Sequence, residues 1–116
     1  MSTQEISEAP LLGLFGSKTA YLVLMYLENY DCGYASRIAK TFNVTLNQVQ
    51  KQLVKFEELG LLVSRKEGTT RMYYFKCSPV TDSLRVFLRD LREHLPKSTI
   101  QRFYRERQRP RRYGKQ

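Results

Sequence analysis

From Thr45 to Leu59 the apolar residues Val49, Leu53, Phe56 and Leu59 recur at steps of three and four. That spacing gathers them on one face of a helix and leaves Asn47, Gln48, Gln50 and Lys51 on the others. Thr45 suits the N-cap, Gln48 can close a capping box with it, and Gly60 marks the end. The first turn therefore presents Leu46, Asn47 and Gln48, with Lys51 one turn on. Upstream, Tyr34 to Thr41 predicts a helix of about two turns, with Ala35, Ile38, Ala39 and Phe42 as its apolar set and Arg37 and Lys40 outward. Between the two helices lies Phe42-Asn43-Val44, where Asn43 can adopt the left-handed conformation. A short helix, a tight turn and a capped longer helix have the spacing of a helix-turn-helix, with Val44 and Val49 setting the interhelical angle.

The runs LLVSRK and RMYYFK, separated by Glu67-Gly68-Thr69-Thr70, predict a β-hairpin. Arg65, Lys66 and Arg71 gather near its tip, while Tyr73, Tyr74 and Phe75 supply bulk for the inner side. A solvated hairpin could have this composition too, but directly after a helix-turn-helix a hairpin with a basic tip reads as the wing of a winged helix, which is expected to touch the backbone or minor groove beside the recognition helix. Nearer the N-terminus, Ser17 can cap a helix over Lys18 to Tyr30 whose middle, Tyr21 to Leu27, is apolar on nearly every side. That excess predicts a second buried contact, with a dimer interface as the natural candidate and full enclosure within one domain as the alternative. Asp31 to Gly33 is expected to be a turn. Ser78 and Pro79 open a further helix carrying a stripe of Leu84, Phe87, Leu88, Leu91 and Leu95, with Arg85, Arg89, Arg92 and Glu93 opposite and Pro96 as the stop. Leu11, Leu12, Leu14 and Phe15 are too apolar to leave in water and are expected to pack on the body or on a second subunit.

With 116 residues, 41% of them hydrophobic, the chain suits one compact domain. Its net charge of +9 points to a polyanionic partner. The distribution is uneven: Lys97 to Gln116 holds 8 Lys/Arg against 1 Asp/Glu, which is +7 of the +9. In this tail Arg102, Arg105, Arg107, Arg109, Arg111 and Arg112 are interleaved with Phe103, Tyr104 and Tyr113. Ser98 can cap a short helix in which Ile100, Phe103 and Tyr104 share a face, with Pro110 ending it. Guanidinium groups bind phosphates bidentately, so a nucleic-acid arm is expected, against the plainer reading of a solvated charge run. Cys32, Cys77 and the single His94 lack metal-ligand spacing. Reduced thiols, a cytoplasmic location, no metal and no cofactor are therefore expected. No run approaches the roughly 20 residues of a membrane span. Neither a nucleophile paired with a base nor a phosphate-cradling loop suggests an enzyme.

FGSKTAYLVLMYL followed by ASRIAKTFNVTLNQVQKQLVKFEELGLLVSRKEGTTRMYYF resembles the winged helix-turn-helix regulators of the ArsR/MarR type, over about Leu14 to Phe75. The resemblance implies an α+β, mainly helical fold: a winged helix-turn-helix with a two-stranded wing and a C-terminal helix. It further implies a homodimer that binds double-stranded DNA and represses transcription. By position, the helix-turn-helix would be Ala35 to Leu59 and the wing Arg65 to Arg71. Major-groove contacts are then expected from Thr45, Asn47, Gln48, Gln50, Lys51 and Lys55. Backbone contacts are expected from Arg37 and Lys40, and wing contacts from Arg65, Lys66, Thr69, Thr70 and Arg71. Metal-sensing members carry Cys or His on the recognition helix or the dimer helices, and Thr45 to Leu59 has neither. The resulting organisation is a flexible N-terminus (1–9), a winged domain with dimerisation helices (10–96) and a basic tail (97–116). The alternative keeps the fold but gives it RNA, or a protein within a larger assembly, as partner.

Overall fold

The computed structural model describes residues 14–105; Leu11, Leu12, Arg107, Arg109, Arg111 and Arg112 lie outside them. In chain order the elements are α1 (Lys18–Tyr30), β1 (Cys32–Gly33), α2 (Ala35–Phe42), α3 (Leu46–Glu58), β2 (Leu62–Glu67), β3 (Thr70–Phe75), α4 (Pro79–Glu93) and α5 (Lys97–Phe103). The predicted start signals act as caps. Ser17 Oγ accepts from the Ala20 N–H at 3.1 Å, and Ser78 Oγ accepts from the Thr81 N–H at 3.1 Å with Pro79 beside it. These bonds satisfy donors that have no partner within the helix.

The sheet is antiparallel in the order β1-β3-β2. β1 occupies the segment expected to be a turn. Asp31 ends α1 in the left-handed conformation (φ 71°), its N–H bonded to Leu27 O at 2.8 Å. The chain thereby turns sharply, and Cys32 and Gly33 run alongside Tyr74 and Tyr73. The hairpin keeps its expected place with a tighter tip. Glu67 pairs with Thr70, so the loop is Gly68-Thr69 alone, and Gly68 supplies the positive φ (68°) that the first position of a type II′ turn requires.

α1 is the central element. Ala20, Tyr21 and Val23 through Asn29 are all buried by the chain itself, so its apolar middle does not need a second subunit to cover it. α2, α3 and α4 pack around it, contributing Ile38, Val49, Leu53 and Leu88 to the same core. Several positions differ from the sequence expectation. Leu59 lies past the end of α3 and is 65% exposed instead of facing the core. On α4 most of the expected stripe packs inward: Leu88 is buried, Leu84 and Leu91 are half-buried against the core, and Leu95 is buried just past the helix end, while the inward face also takes in Thr81, Arg85 and Arg92. Arg85 and Arg92, expected to face outward, instead pair with Asp31 (2.9 Å) and with Glu28 on α1. The buried Glu28 carboxylate and the Asp31 carboxylate at the α1 C-cap turn this face of α4 inward, and Phe87 is displaced to 42% exposure.

The packed body continues beyond Pro96. α5 starts directly after Pro96, without a Ser98 cap, and delivers Phe103 and Tyr104 to the ring of Phe42 at centroid distances of 5.3 and 6.0 Å. The Tyr30 hydroxyl donates to Phe103 O at 2.7 Å and accepts from the Arg105 N–H at 3.2 Å; Asn29 Nδ2 donates to Arg105 O. Residues 97–105, assigned by composition to the tail, are thus held by their aromatic members, and Tyr104 is buried. At the other end, Phe15 meets Tyr21 at 6.2 Å while Leu14 stays exposed.

Candidate nucleic-acid interface

The helix-turn-helix forms where predicted. Asn43 adopts the left-handed conformation (φ 57°, ψ 48°) that ends α2, and the Val44 N–H returns to Ala39 O at 3.0 Å. Two residues later α3 begins. The Gln48 N–H donates to Thr45 Oγ1 at 3.2 Å, which fixes the first turn of α3. Only this half of the capping box forms; among the described residues the Gln48 amide makes no return bond to Thr45.

Val49, Leu53 and Phe56 anchor one face of α3 in the core. With 3.6 residues per turn, the opposite face is Asn47, Lys51, Val54 and Glu58, with Gln50 beside it and Gln48 on the far flank. Asn47, Gln48, Gln50, Lys51 and Lys55 are all exposed, as are Leu46 (45%) and Val54 (46%). Leu46 and Val54 are not among the residues expected from sequence to touch DNA; the signal for Val54 is the helical phase set by Val49 and Leu53, whereas Leu46 is exposed because it is the first residue of the helix. Lys55 leans back, its Nζ 5.1 Å from the centroid of the Phe56 ring, so it stands off the outermost line. The first turn of α3 carries no acidic residue, which leaves the positive end of the helix open to an anion.

Arg37 and Lys40 lie one turn apart on the exposed side of α2. The neighbouring Tyr34 side chain raises the Arg37 pKa. In the wing, Arg65, Lys66, Thr69 and Arg71 are exposed and Thr70 is half-buried. Two of these cations are already oriented. The Arg65 guanidinium lies over the Tyr74 ring at 4.8 Å and reaches Glu67 at 3.6 Å; the Tyr74 hydroxyl donates to Glu67. Arg71 Nη1 donates to Ser64 Oγ at 3.1 Å, and Ser64 in turn donates to Glu57 Oε2 of α3 at 2.7 Å. Burial, and then the bond to Glu67, push the Tyr74 phenol above its ordinary pKa, so it stays a neutral donor under the guanidinium. Arg102 and Arg105 are exposed on the docked C-terminal segment.

Among the described residues no group of three or more His, Cys, Asp or Glu is placed to hold a metal ion, and neither Cys32 nor Cys77 is in a disulfide. Within the same span no helix is long and apolar enough to cross a membrane.

No family model and no curated protein matches the chain. Solved structures do match. A MarR-family transcriptional regulator from Rhodococcus sp. RHA1 superposes with a TM-score of 0.56 at 15% identity, over 82% of this chain and 74% of that one. Reduced AbfR bound to DNA gives 0.54 at 16% identity, over 75% of this chain and 63% of that one. A mutant of Lactococcus lactis ZitR gives 0.50 at 16% identity, over 73% and 66%. The chain thus spans under two thirds of the length of AbfR and of ZitR. At these identities the likeness concerns architecture, and it agrees with the element order: the fold is a mainly helical winged helix-turn-helix with a small antiparallel sheet.

Proposed function

We propose that the protein is a regulator of transcription that binds double-stranded DNA, with α3 in the major groove and the hairpin as a wing beside it. The observation that carries this reading is the outward face of α3. Its amides and Lys51 lie on a helix anchored by Val49, Leu53 and Phe56, its first turn is free of acid, and the cations of α2 and the wing flank it. Amides and lysine are groups that recognise base edges, and flanking cations suit the phosphates on either side of a groove. Asn47, Gln48, Gln50 and Lys51 are assigned to bases, with Thr45 and Lys55 at the margins. Arg37, Lys40, Arg65, Lys66, Thr69, Thr70 and Arg71 are assigned to the backbone. Arg102, Arg105, Arg107, Arg109, Arg111 and Arg112 extend the electrostatic footprint. The neighbours support the same direction, since AbfR was solved on DNA and the Rhodococcus protein is named a MarR-family regulator. Of the two groups the sequence resembles, the MarR side thus has the named structural counterpart.

The reading includes a homodimer that acts in the cytoplasm as a repressor, by occupying a promoter. Val80 and Phe87, seven residues apart on one side of α4, leave exposed apolar surface that suits a second copy. No catalytic role is proposed. Selection from a random duplex pool tests the whole reading: two half-sites about one helical turn apart are expected. A single half-site bound by a monomer overturns the dimer. Preference for structured RNA over every duplex, in competition at fixed salt, transfers the fold to the alternative partner.

A further inference from the structure

We propose that α3 reads thymine 5-methyl groups through Leu46 and Val54, on either side of an adenine-reading amide at Gln50, so that each half-site is rich in A·T pairs. This rests on the duplex-binding reading above and specifies what that surface recognises.

Leu46, Gln50 and Val54 are spaced four residues apart and form one ridge along α3. Both apolar members are close to half exposed, and neither belongs to the core or to the partly buried residues packed on it. The ridge runs roughly 12 Å along the helix axis, at 1.5 Å per residue. That span covers three or four base-pair steps of about 3.4 Å, so it fits within one major-groove passage.

The residue types select the base. In the major groove the bidentate partner of adenine is an Asn or Gln amide, and the thymine methyl is met by apolar side chains; guanine is read by Arg or Lys, so on α3 Lys51 is the group suited to a guanine. α3 contains no Arg, and Lys51 is the cation on its outermost line. The exposed face offers Asn47, Gln48 and Gln50 for adenine and Leu46 and Val54 for thymine. A helix that only held phosphates would gain nothing from Leu46 and Val54, since an apolar side chain offers no partner to a phosphate oxygen. The basic groups beside the ridge also favour a polyanion over an apolar protein surface as its occupant.

Replacing thymine by deoxyuridine removes the methyl and keeps the base pair. With the duplex recovered from selection, wild-type affinity is expected to fall about fourfold for each methyl that α3 touches, the worth of one buried methyl group. Leu46→Ala and Val54→Ala are each expected to lose the same factor on the thymine duplex and to stop distinguishing thymine from deoxyuridine at one position. Both side chains are exposed, so the fold is not at stake, and duplexes without the methyl serve as the internal control. Equal wild-type affinity for the two duplexes overturns the proposal, as does unaltered discrimination in both variants or a G·C-rich selected half-site. Failure to bind any duplex instead overturns the underlying reading, and this proposal with it.

Discussion

The hydroxyl of Ser64 donates to Glu57 Oε2 at 2.7 Å and so ties the first strand of the wing to the last turns of α3. Arg71 Nη1 reaches the same hydroxyl oxygen from the opposite strand, so one serine joins three elements. The wing is consequently held at a set attitude to the helix beside it, and one of its cations is oriented by contacts within the protein.

Ser64→Ala removes this junction without adding bulk. The expected cost is about 1 kcal/mol of unfolding free energy, the typical net worth of one hydrogen bond. Duplex affinity should fall roughly fivefold, because Arg71 loses its orientation, while base preference at α3 is retained. Chemical denaturation and a duplex titration measure the two effects. Affinity unchanged within about twofold would show that the hairpin holds its attitude without Ser64.

Gly33 is placed where a side chain has no room. A Cβ there would come within 2.7 Å of Tyr26 Cε1, 3.1 Å of its Cδ1 and 3.3 Å of Ile38 Cδ1. Tyr26 has little freedom to retreat, since its ring lies 4.5 Å from that of Tyr30 and edge-on to Phe42. Gly33→Ala is expected to destabilise by about 1–3 kcal/mol through overpacking. The cost should shrink in a Tyr26→Leu background, a non-additivity readable from thermal midpoints. Additive losses would place the strain elsewhere.

The helix-turn-helix is legible in the sequence because its signals are local: Thr45 before α3, Asn43 in the turn, Gly60 after, and Val49 and Leu53 in phase between them. Gly68 marks the wing for the same reason. β1 is not legible, because two residues form a strand only when β3 lies alongside. The orientation of α4 is legible only in part: its leucines do pack on the core, yet Glu28 and Asp31 draw Arg85 and Arg92 inward as well, and ion pairing across helices leaves no periodic trace. In the C-terminal stretch, arginine count obscures Phe103 and Tyr104, whose packing fixes residues 97–105. Val54 looks like an ordinary apolar residue until the core phase of α3 places it outside, and Leu46 is exposed only because the helix begins there.

Because Tyr104 is buried and Tyr30 holds Phe103 and Arg105, removing everything after Pro96 would strip part of the core. Ending the chain at Arg105 instead keeps that packing and removes Arg107, Arg109, Arg111 and Arg112. The unfolding midpoint is expected to be unchanged. If these arginines meet phosphates, the slope of log affinity against log salt should flatten by about 0.9 for each phosphate no longer neutralised. An unchanged slope would mean that the terminal arginines do not touch the duplex.

Arg92 and Glu28 form an ion pair that is largely withdrawn from water, with side chains 14% and 4% exposed. Removing one partner strands the other charge in a low-dielectric site, and such losses cost about 3–5 kcal/mol. Glu28→Leu and Arg92→Leu should each fall near the lower end of that range. Replacing both by leucine should recover most of the loss, since apolar packing can substitute for a desolvated pair. A urea double-mutant cycle measures this, and a double variant as unstable as the sum of the singles would show that the pair is not a coupled unit.

Tyr26 gives the stability a defined alkaline limit. Burial raises its pKa from 10.0 to about 12, against a smaller opposing effect of the Arg37 charge. The native state therefore keeps the phenolic proton over a range in which the unfolded chain releases it. Below pH 10 both states are protonated and the group contributes nothing to the pH dependence. Between pH 10 and about 12 the unfolded state binds fewer protons than the native state, so stability falls with rising pH, by at most about 1.4 kcal/mol per unit. Burial shifts Tyr73 and Tyr74 upward as well, so their contributions have the same sign. Urea midpoints measured at half-unit steps from about pH 9 to 12 should decline with a slope that is shallower in Tyr26→Phe than in the wild type. Identical slopes in the two proteins would assign the alkaline loss to the other tyrosines and remove Tyr26 from the account.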